Sequence, residues 1–252
     1  NTILVVFNIV YNYKIFVGQT GQLKLSKKSS EGWIYDQVFD AIVEQRLLPD
    51  TKLTKKDLCN VFGVSRTIIR KVLLRLSLEN VVEIRPNRGA VIATPKPDDV
   101  REVFEARRIL EHGIVTKAAQ KCSHEDAEIL RVMAKREHAY INVEDSSNAI
   151  RISGEFHLKL ADIAGNKPLR ELLRQLVAQT SLAISRYVPA SQGMCHDDDH
   201  DRLVEAIAAQ NIEDSCRIMR EHLMECERRL ALDTPRRGSD LYAVFAQAIT
   251  AQ

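Results

Sequence analysis

The chain is expected to be mostly helical, with a winged helix-turn-helix at its N-terminal end followed by an all-helical antiparallel bundle. Three observations predict this. The stretch KKDLCNVFGVSRTIIRKVLLRLSLENVVEIRPNR, Lys55–Arg88, reads as two short helices, a tight turn and a hairpin with a basic tip. Helical periodicity dominates from Asp98 onward. Aromatic residues are sparse, and Gly and Pro number only 10 and 7 in 252 residues, which argues against an all-β fold.

Taken in order, residues 1–17 are apolar but interrupted by Asn8, Asn12 and Lys14. The segment is too short and too polar for a spanning helix, which needs roughly 20 mostly apolar residues. It also lacks the basic start and small-residue cleavage site of a signal peptide. Residues 1–30 are expected to be an extension outside the fold, with Gln19–Ser30 a flexible basic arm carrying Lys24, Lys27 and Lys28. Ile34–Gln45 places Ile34, Val38, Ile42 and Val43 on one helical face. Pro49 and Asp50 end it, and Leu53-Thr54 is a short extended piece.

Thr54, with Asp57 three residues on, caps a helix over Lys55–Phe62. Gly63 supplies a left-handed turn. Ser65 caps a second helix, Arg66–Leu78, whose inward face is Ile69, Val72, Leu73 and Leu76. Asn80 tolerates the left-handed conformation where that helix must stop. Val81–Ile84 and Ala90–Ala93 are the two strands of the hairpin. The first domain is therefore placed at residues 31–93, and 94–97 (TPKP) is a linker.

Beyond the linker, helices are expected over Asp98–Lys121, His124–Asn142, Ser146–Ala164, Pro168–Tyr187, Asp198–Gln210 and Ile212–Leu232. Gly165-Asn166 and Gln210-Asn211 are the breaks. Short connections between such helices make a bundle over residues 98–232. Residues 233–252 read as a tail.

Charge separates the two parts. Lys52–Arg88 carries nine Lys/Arg against three Asp/Glu, a surplus of six in a chain whose net charge is +2. Asp98–Leu232 carries 19 Lys/Arg against 24 Asp/Glu, a net of −5. A basic patch on a helix-turn-helix is the electrostatic footprint of double-stranded DNA binding. The second helix of such a motif enters the major groove and its first residues reach the bases. These are Ser65, Arg66, Thr67 and Arg70. Arg can bond two acceptors on guanine at once, and Ser and Thr suit phosphates or bases. Lys55 and Lys56 begin the preceding helix, where a phosphate is favoured. Arg85 and Arg88 stand at the wing tip.

Five cysteines without a CxxC pair read as reduced thiols of a cytoplasmic protein. There is no HExxH, GxSxG or phosphate-binding Gly loop, so the chain is not read as an enzyme. The alternative is a metal-dependent hydrolase with an accessory nucleic-acid-binding domain.

The run LCNVFGVSRTIIRKVLLRLSLENVVEIRPNRGAVI resembles the N-terminal domain of the GntR superfamily of bacterial transcription regulators. That family's DNA-contacting positions map onto Lys56, Arg66, Thr67, Arg70 and Gly89. Asn80, Gln45 and Asp50 stand where the family has glycine. EARRILE (Glu105–Glu111), EFHLKLADIAGN (Glu155–Asn166), HDRLVEAIAAQN (His200–Asn211) and MREHL (Met219–Leu223) resemble the FCD-type ligand-sensing domain of the FadR-like branch.

The resemblance implies a homodimeric, effector-responsive regulator, most often a repressor, acting on a near-palindromic operator with no membrane partner. It also implies a divalent metal (Zn, Ni or Mn) held by His157, His200 and His222. The usual fourth ligand, an Asp, is replaced by Ser153, and the site is then expected to lose its only negative charge. Two readings follow: these His hold a metal, or the same cluster with Ser153 binds a small organic acid directly. Arg107 either faces that pocket as a carboxylate clamp or forms a surface ion pair with Glu111. Arg186 and Tyr187 are further pocket candidates. The run Cys195–His200 is a rival metal site or a solvated acidic loop.

Overall fold

The computed structural model describes residues 15–17, 23–25, 30–85, 89–188 and 198–232. Strands β1 (Ile15–Val17) and β2 (Leu23–Leu25) pair with each other in an antiparallel hairpin. Leu23–Leu25 is thus strand where a flexible arm was expected. The remainder of residues 1–29, and the tail 233–252, lie outside the described residues.

Helix α1 (Ser30–Val43) precedes β3 (Lys52–Leu53), α2 (Lys55–Phe62) and α3 (Arg66–Leu78). The Thr54 hydroxyl accepts from the Asp57 amide at 3.1 Å and starts α2. Gly63, at φ 63°, ends it. The hairpin is β4 (Val82–Arg85) and β5 (Gly89–Ile92), with β3 on the far edge of β5. It sits one residue nearer its tip than the strand pattern predicts. The reason is local: Asn80 takes φ 57°, and the Val81 amide is used to cap α3, donating to the Leu76 carbonyl at 3.3 Å.

Gln45 and Asp50 also hold left-handed backbones, at φ 57° and 64°. The departures from glycine at 45, 50 and 80 therefore all fall where the backbone asks for glycine.

The bundle follows: α4 (Pro97–Lys121), α5 (His124–Asn142), α6 (Ser146–Ala164), α7 (Lys167–Tyr187), α8 (Asp199–Ala208) and α9 (Ile212–Arg228). Side-chain caps set the starts of α5, α6, α7 and α9: Ser123, Asp145, Asn166 and Asn211 each accept from a backbone amide three residues on. Gly165 and Gln210 supply the left-handed breaks, at φ 67° and 56°. Among the described residues no helix is long and apolar enough to cross a membrane.

The cores are not partitioned at the linker. The apolar core of α1–α3 and the hairpin takes in Ala178 and Leu182 of α7. Leu173 and Val177 of the same helix belong to the bundle core.

Two stability predictions follow. Gln45 combines a left-handed backbone with a buried side-chain amide nitrogen that has no partner among the described residues. Left-handed backbone costs a non-glycine residue about 1–2 kcal/mol, so Gln45→Gly is expected to raise the urea midpoint. Gly154 is the converse case. A Cβ there would lie 2.9 Å from Val177 Cγ1, and Gly154→Ala is expected to cost about 1–3 kcal/mol by the same measurement.

Candidate nucleic-acid interface and buried histidine centre

The helix-turn-helix presents its cations outward. Lys55 and Lys56 are exposed on the first turn of α2, and Ser65, Arg66, Thr67 and Arg70 are exposed at the start of α3. Ser65 occupies the N-cap position, yet its side chain makes no cap hydrogen bond. Among the described residues, none of Lys55, Lys56, Arg66 and Arg70 pairs with a carboxylate; other cations of this segment do, as Lys71 with Glu31, Arg75 with Glu79 and Arg85 with Glu83. Arg85 is exposed on β4. Gly89, at φ 86°, starts β5 with a conformation that suits glycine. Arg88 lies outside the described residues.

In the bundle, His157 (α6), His200 (α8) and His222 (α9) converge although they are far apart in sequence. All three are about 97% buried. One ligand atom from each lies within 4.8 Å of the others. Their ring centroids are 4.7–5.5 Å apart, and Phe156 stacks on His200 at 4.2 Å.

Each imidazole is oriented by a carboxylate. His157 Nδ1 meets Glu111 Oε2 at 2.5 Å, His200 Nδ1 meets Glu137 Oε2 at 2.5 Å, and His222 Nδ1 lies 3.4 Å from Asp199 Oδ2. A carboxylate on one ring nitrogen fixes the tautomer and turns the other nitrogen toward a metal. His200 Nε2 is buried with no partner among the described residues. The donor set therefore fits a divalent ion.

Arg107 corrects one expectation. It does pair with Glu111, Nε to Oε1 at 2.7 Å, but the pair is buried, with 5% and 1% of the two residues exposed. Its Nη2 has no partner among the described residues. Burial would raise the Glu111 carboxyl, but Arg107 and then His157 overcome it and hold it at about 2. Burial pushes His157 down to about 4 against the pull of Glu111. Burial opposes charge on His222 too, but Cys226 and Asp199 outweigh it and lift that ring to about 10. Glu137, though buried, is held below its ordinary value by His200.

The charge expectation is corrected as well. Replacing Asp by Ser153 does not strip the site of negative charge, because Glu111, Glu137 and Asp199 surround it. Ser153 is half-buried, one turn before His157 on α6. Glu155 turns away to Arg151 at 2.7 Å. Arg186 and Tyr187 face the N-terminal half, not the His cluster: Arg186 pairs with Asp50 at 3.4 Å, and the Tyr187 hydroxyl donates to the Pro95 carbonyl at 2.8 Å. Cys195, His196 and Asp197 of the rival run lie outside the described residues.

Glu111 and Glu137 as site residues escape a motif reading. Their signal is periodicity. Phe104, Arg107, Glu111, Ile114 and Ala118 form one buried stripe of α4, and Ala127, Leu130, Ala134 and Glu137 one of α5. A charged residue inside an apolar stripe is the clue. Removing Glu111 would leave Arg107 buried and unpaired. Glu111→Ala is expected to cost about 3–5 kcal/mol in urea denaturation; a loss below about 1 kcal/mol would show that the network is solvated.

Comparison with known proteins agrees with both halves. Residues 32–92 match the family model "Bacterial regulatory proteins, gntR family" and residues 102–225 match "FCD domain". The chain is 29% identical over 189 residues to the Uxu operon regulator of Haemophilus influenzae, covering 68% of this chain and 70% of that one. It is 28% identical over 203 residues to the HTH-type transcriptional regulator LutR of Bacillus subtilis, covering 72% and 92%. Among solved structures, the fold matches E. coli McbR/YncC with a TM-score of 0.70 at 18% identity, covering 88% of this chain and 99% of that one. A GntR-type regulator from Rhodococcus sp. RHA1 also matches at 0.70, with 22% identity and coverage of 80% and 97%. The chain is not an enzyme: it belongs to the GntR family of transcriptional regulators, with an N-terminal GntR helix-turn-helix domain and a C-terminal FCD domain.

Proposed function

We propose that this chain is a cytoplasmic repressor that binds a near-palindromic operator as a homodimer and is controlled by a small organic acid or catabolic intermediate bound in its helical bundle. In this reading residues 31–93 read DNA, 94–97 connect, 98–232 sense and dimerise, and 1–30 and 233–252 stand outside both units. Two recognition helices reading two half-sites require two-fold symmetry. The observation that carries the DNA reading is the group Lys55, Lys56, Arg66 and Arg70 around the start of α3, which pairs with no carboxylate among the described residues, beside cations that are paired.

The effector reading is supported by two buried donors without partners among the described residues, Arg107 Nη2 and His200 Nε2, beside the His cluster. A guanidinium nitrogen of this kind suits an acid oxygen. The three imidazoles would hold a divalent ion (Zn²⁺, Ni²⁺ or Mn²⁺), which would supply a positive centre within the ring of Glu111, Glu137 and Asp199. Effector binding then favours one arrangement of the DNA-reading units over another, and operator affinity follows.

Arg66→Ala is expected to weaken binding to an operator selected from a random-sequence DNA pool by roughly 10–100-fold, in fluorescence anisotropy, with dimerisation unchanged. Wild-type affinity in that variant would remove α3 from base reading. Chelation is expected to lower the melting temperature, and Glu137→Gln to weaken metal binding by about 10–100-fold in a chelator competition. A chelator-insensitive melting curve would leave direct effector binding by the His cluster.

A further inference from the structure

Glu79 is a carboxylate in an unfavourable place. It is the C-cap of α3, and the negative end of a helix disfavours an anion. It is also only 8% exposed, and its near neighbours in sequence, Leu76, Val81 and Val82, belong to the apolar core. Burying a carboxylate is unfavourable unless donors surround it. Apolar side chains in place of a buried ionic group are often neutral or stabilising, so the stability of α3 does not account for this residue.

Its donors come largely from outside α2 and α3. The Tyr35 hydroxyl, on α1, lies 2.6 and 2.8 Å from the two Glu79 carboxylate oxygens and donates to one of them. Arg174, on α7, donates to that same hydroxyl, covers the Phe39 ring at 3.8 Å and lies 3.7 Å from Asp36. Gln179, also on α7, donates to the Glu79 carbonyl at 3.2 Å. From α3 itself comes Arg75, whose Nε is 3.7 Å from the carboxylate and whose guanidinium covers the Tyr35 ring at 3.5 Å. We propose, on the basis of the DNA reading above, that Glu79, Tyr35 and Arg174 are positioning residues for base recognition: they touch no nucleotide, and they set the angle at which α3 presents Arg66 and Arg70.

The helix acts as a lever. α3 has 13 residues, which makes a rod of about 20 Å at about 1.5 Å per residue. Its buried middle, Ile69, Val72 and Leu73, is the pivot. Glu79 stands at one end and Arg66 at the other, so a tilt that moves Glu79 by roughly 1 Å moves Arg66 by a similar amount in the opposite direction. Hydrogen bonds to base edges do not survive such a shift, because N–H···O contacts span only about 2.7–3.2 Å. Phosphate contacts carry no sequence information, and Lys55 and Lys56 stand on α2, which this lever does not move. Loss of the Glu79 contacts therefore lowers affinity for the operator and leaves affinity for unrelated DNA in place.

The test compares two duplexes in fluorescence anisotropy with the full chain: the operator selected from a random-sequence pool and a scrambled duplex of the same length. Tyr35→Phe keeps the ring and removes the hydroxyl. Arg174→Met keeps an apolar cover over Phe39 and removes the donor. Each variant, held well below its own melting temperature, is expected to bind the operator roughly 2–30-fold more weakly and the scrambled duplex as the wild type does. Glu79→Gln, which can still accept from Tyr35, is expected to keep more operator affinity than Glu79→Ala. Wild-type preference for the operator in either Tyr35→Phe or Arg174→Met, while Arg66→Ala weakens it, would overturn the positioning role and leave the DNA reading standing. An equal loss on both duplexes would overturn it too, since that marks a lost cation or a partly unfolded chain. If Arg66→Ala itself binds the operator as the wild type does, base reading by α3 fails and this inference with it.

Discussion

Helix α7 belongs to two cores at once, and the relation between the two halves of the chain depends on that. One face supplies Leu173 and Val177 to the bundle; a neighbouring face supplies Ala178 and Leu182 to the core beneath the helix-turn-helix. Polar groups tighten the second contact. The Arg174 guanidinium covers Phe39 at 3.8 Å and donates to the Tyr35 hydroxyl. The Tyr35 hydroxyl donates in turn to the Glu79 carboxylate at 2.6 Å, and Gln179 Nε2 donates to the Glu79 carbonyl at 3.2 Å. Burial, then Glu79, raises the Tyr35 hydroxyl well above its ordinary range, so it remains a donor. Glu79 is the C-cap of α3. The end of the proposed recognition helix is therefore tied, through two side chains of α7, to the bundle.

The same helix lies against the histidine centre's support. Gly154, three residues before His157 on α6, packs so closely on Val177 that no methyl fits between them. Close-packed interiors transmit displacement because they have no slack to absorb it. A shift of α6 that accompanies ligand capture at His157 would thus press on Val177, and Ala178 next to it already lies in the helix-turn-helix core. A cleft of about 460 Å³ opens beside this path, between the hairpin base, the linker, α4 and α7. Its lining includes Asn80, Thr94, Asp99 and Gln179 and none of the three histidines. The two halves thus meet along α7 without filling all the space between them.

What could be read in advance followed from local chemistry. Thr54, Gly63 and Gly165 act within a turn of their own position, and the elements they bound lie where expected. The three histidines were found through a family resemblance and not by spacing, since 43 and 22 residues separate them. Glu137 was missed because its role exists only in three dimensions: α5 must pack beside α8 before its carboxylate meets His200. Arg107 was ambiguous for a related reason. A spacing of four between Arg and Glu looks the same on a solvated face and on a buried one. Only the apolar residues at 104, 114 and 118 separate the two cases, and they show which way α4 faces.

The buried network is costly as it stands, and under the proposed function that cost would give the bundle something to sense. Replacing a buried ionic group by well-packed apolar side chains is often neutral or stabilising, so Arg107, Glu111 and Glu137 are not explained by stability. Two donors in this region, Arg107 Nη2 and His200 Nε2, remain unpartnered among the described residues. An unsatisfied buried group costs about 1–3 kcal/mol, more when charged. A ligand that satisfies both recovers that energy only in the packing that holds them in place, and so stabilises that packing over any alternative. The two groups ask for different things: an acid oxygen for the guanidinium and a metal ion for the imidazole nitrogen. In the proposed reading such a centre would respond to an organic acid and a metal ion together, and its response would leave along α7.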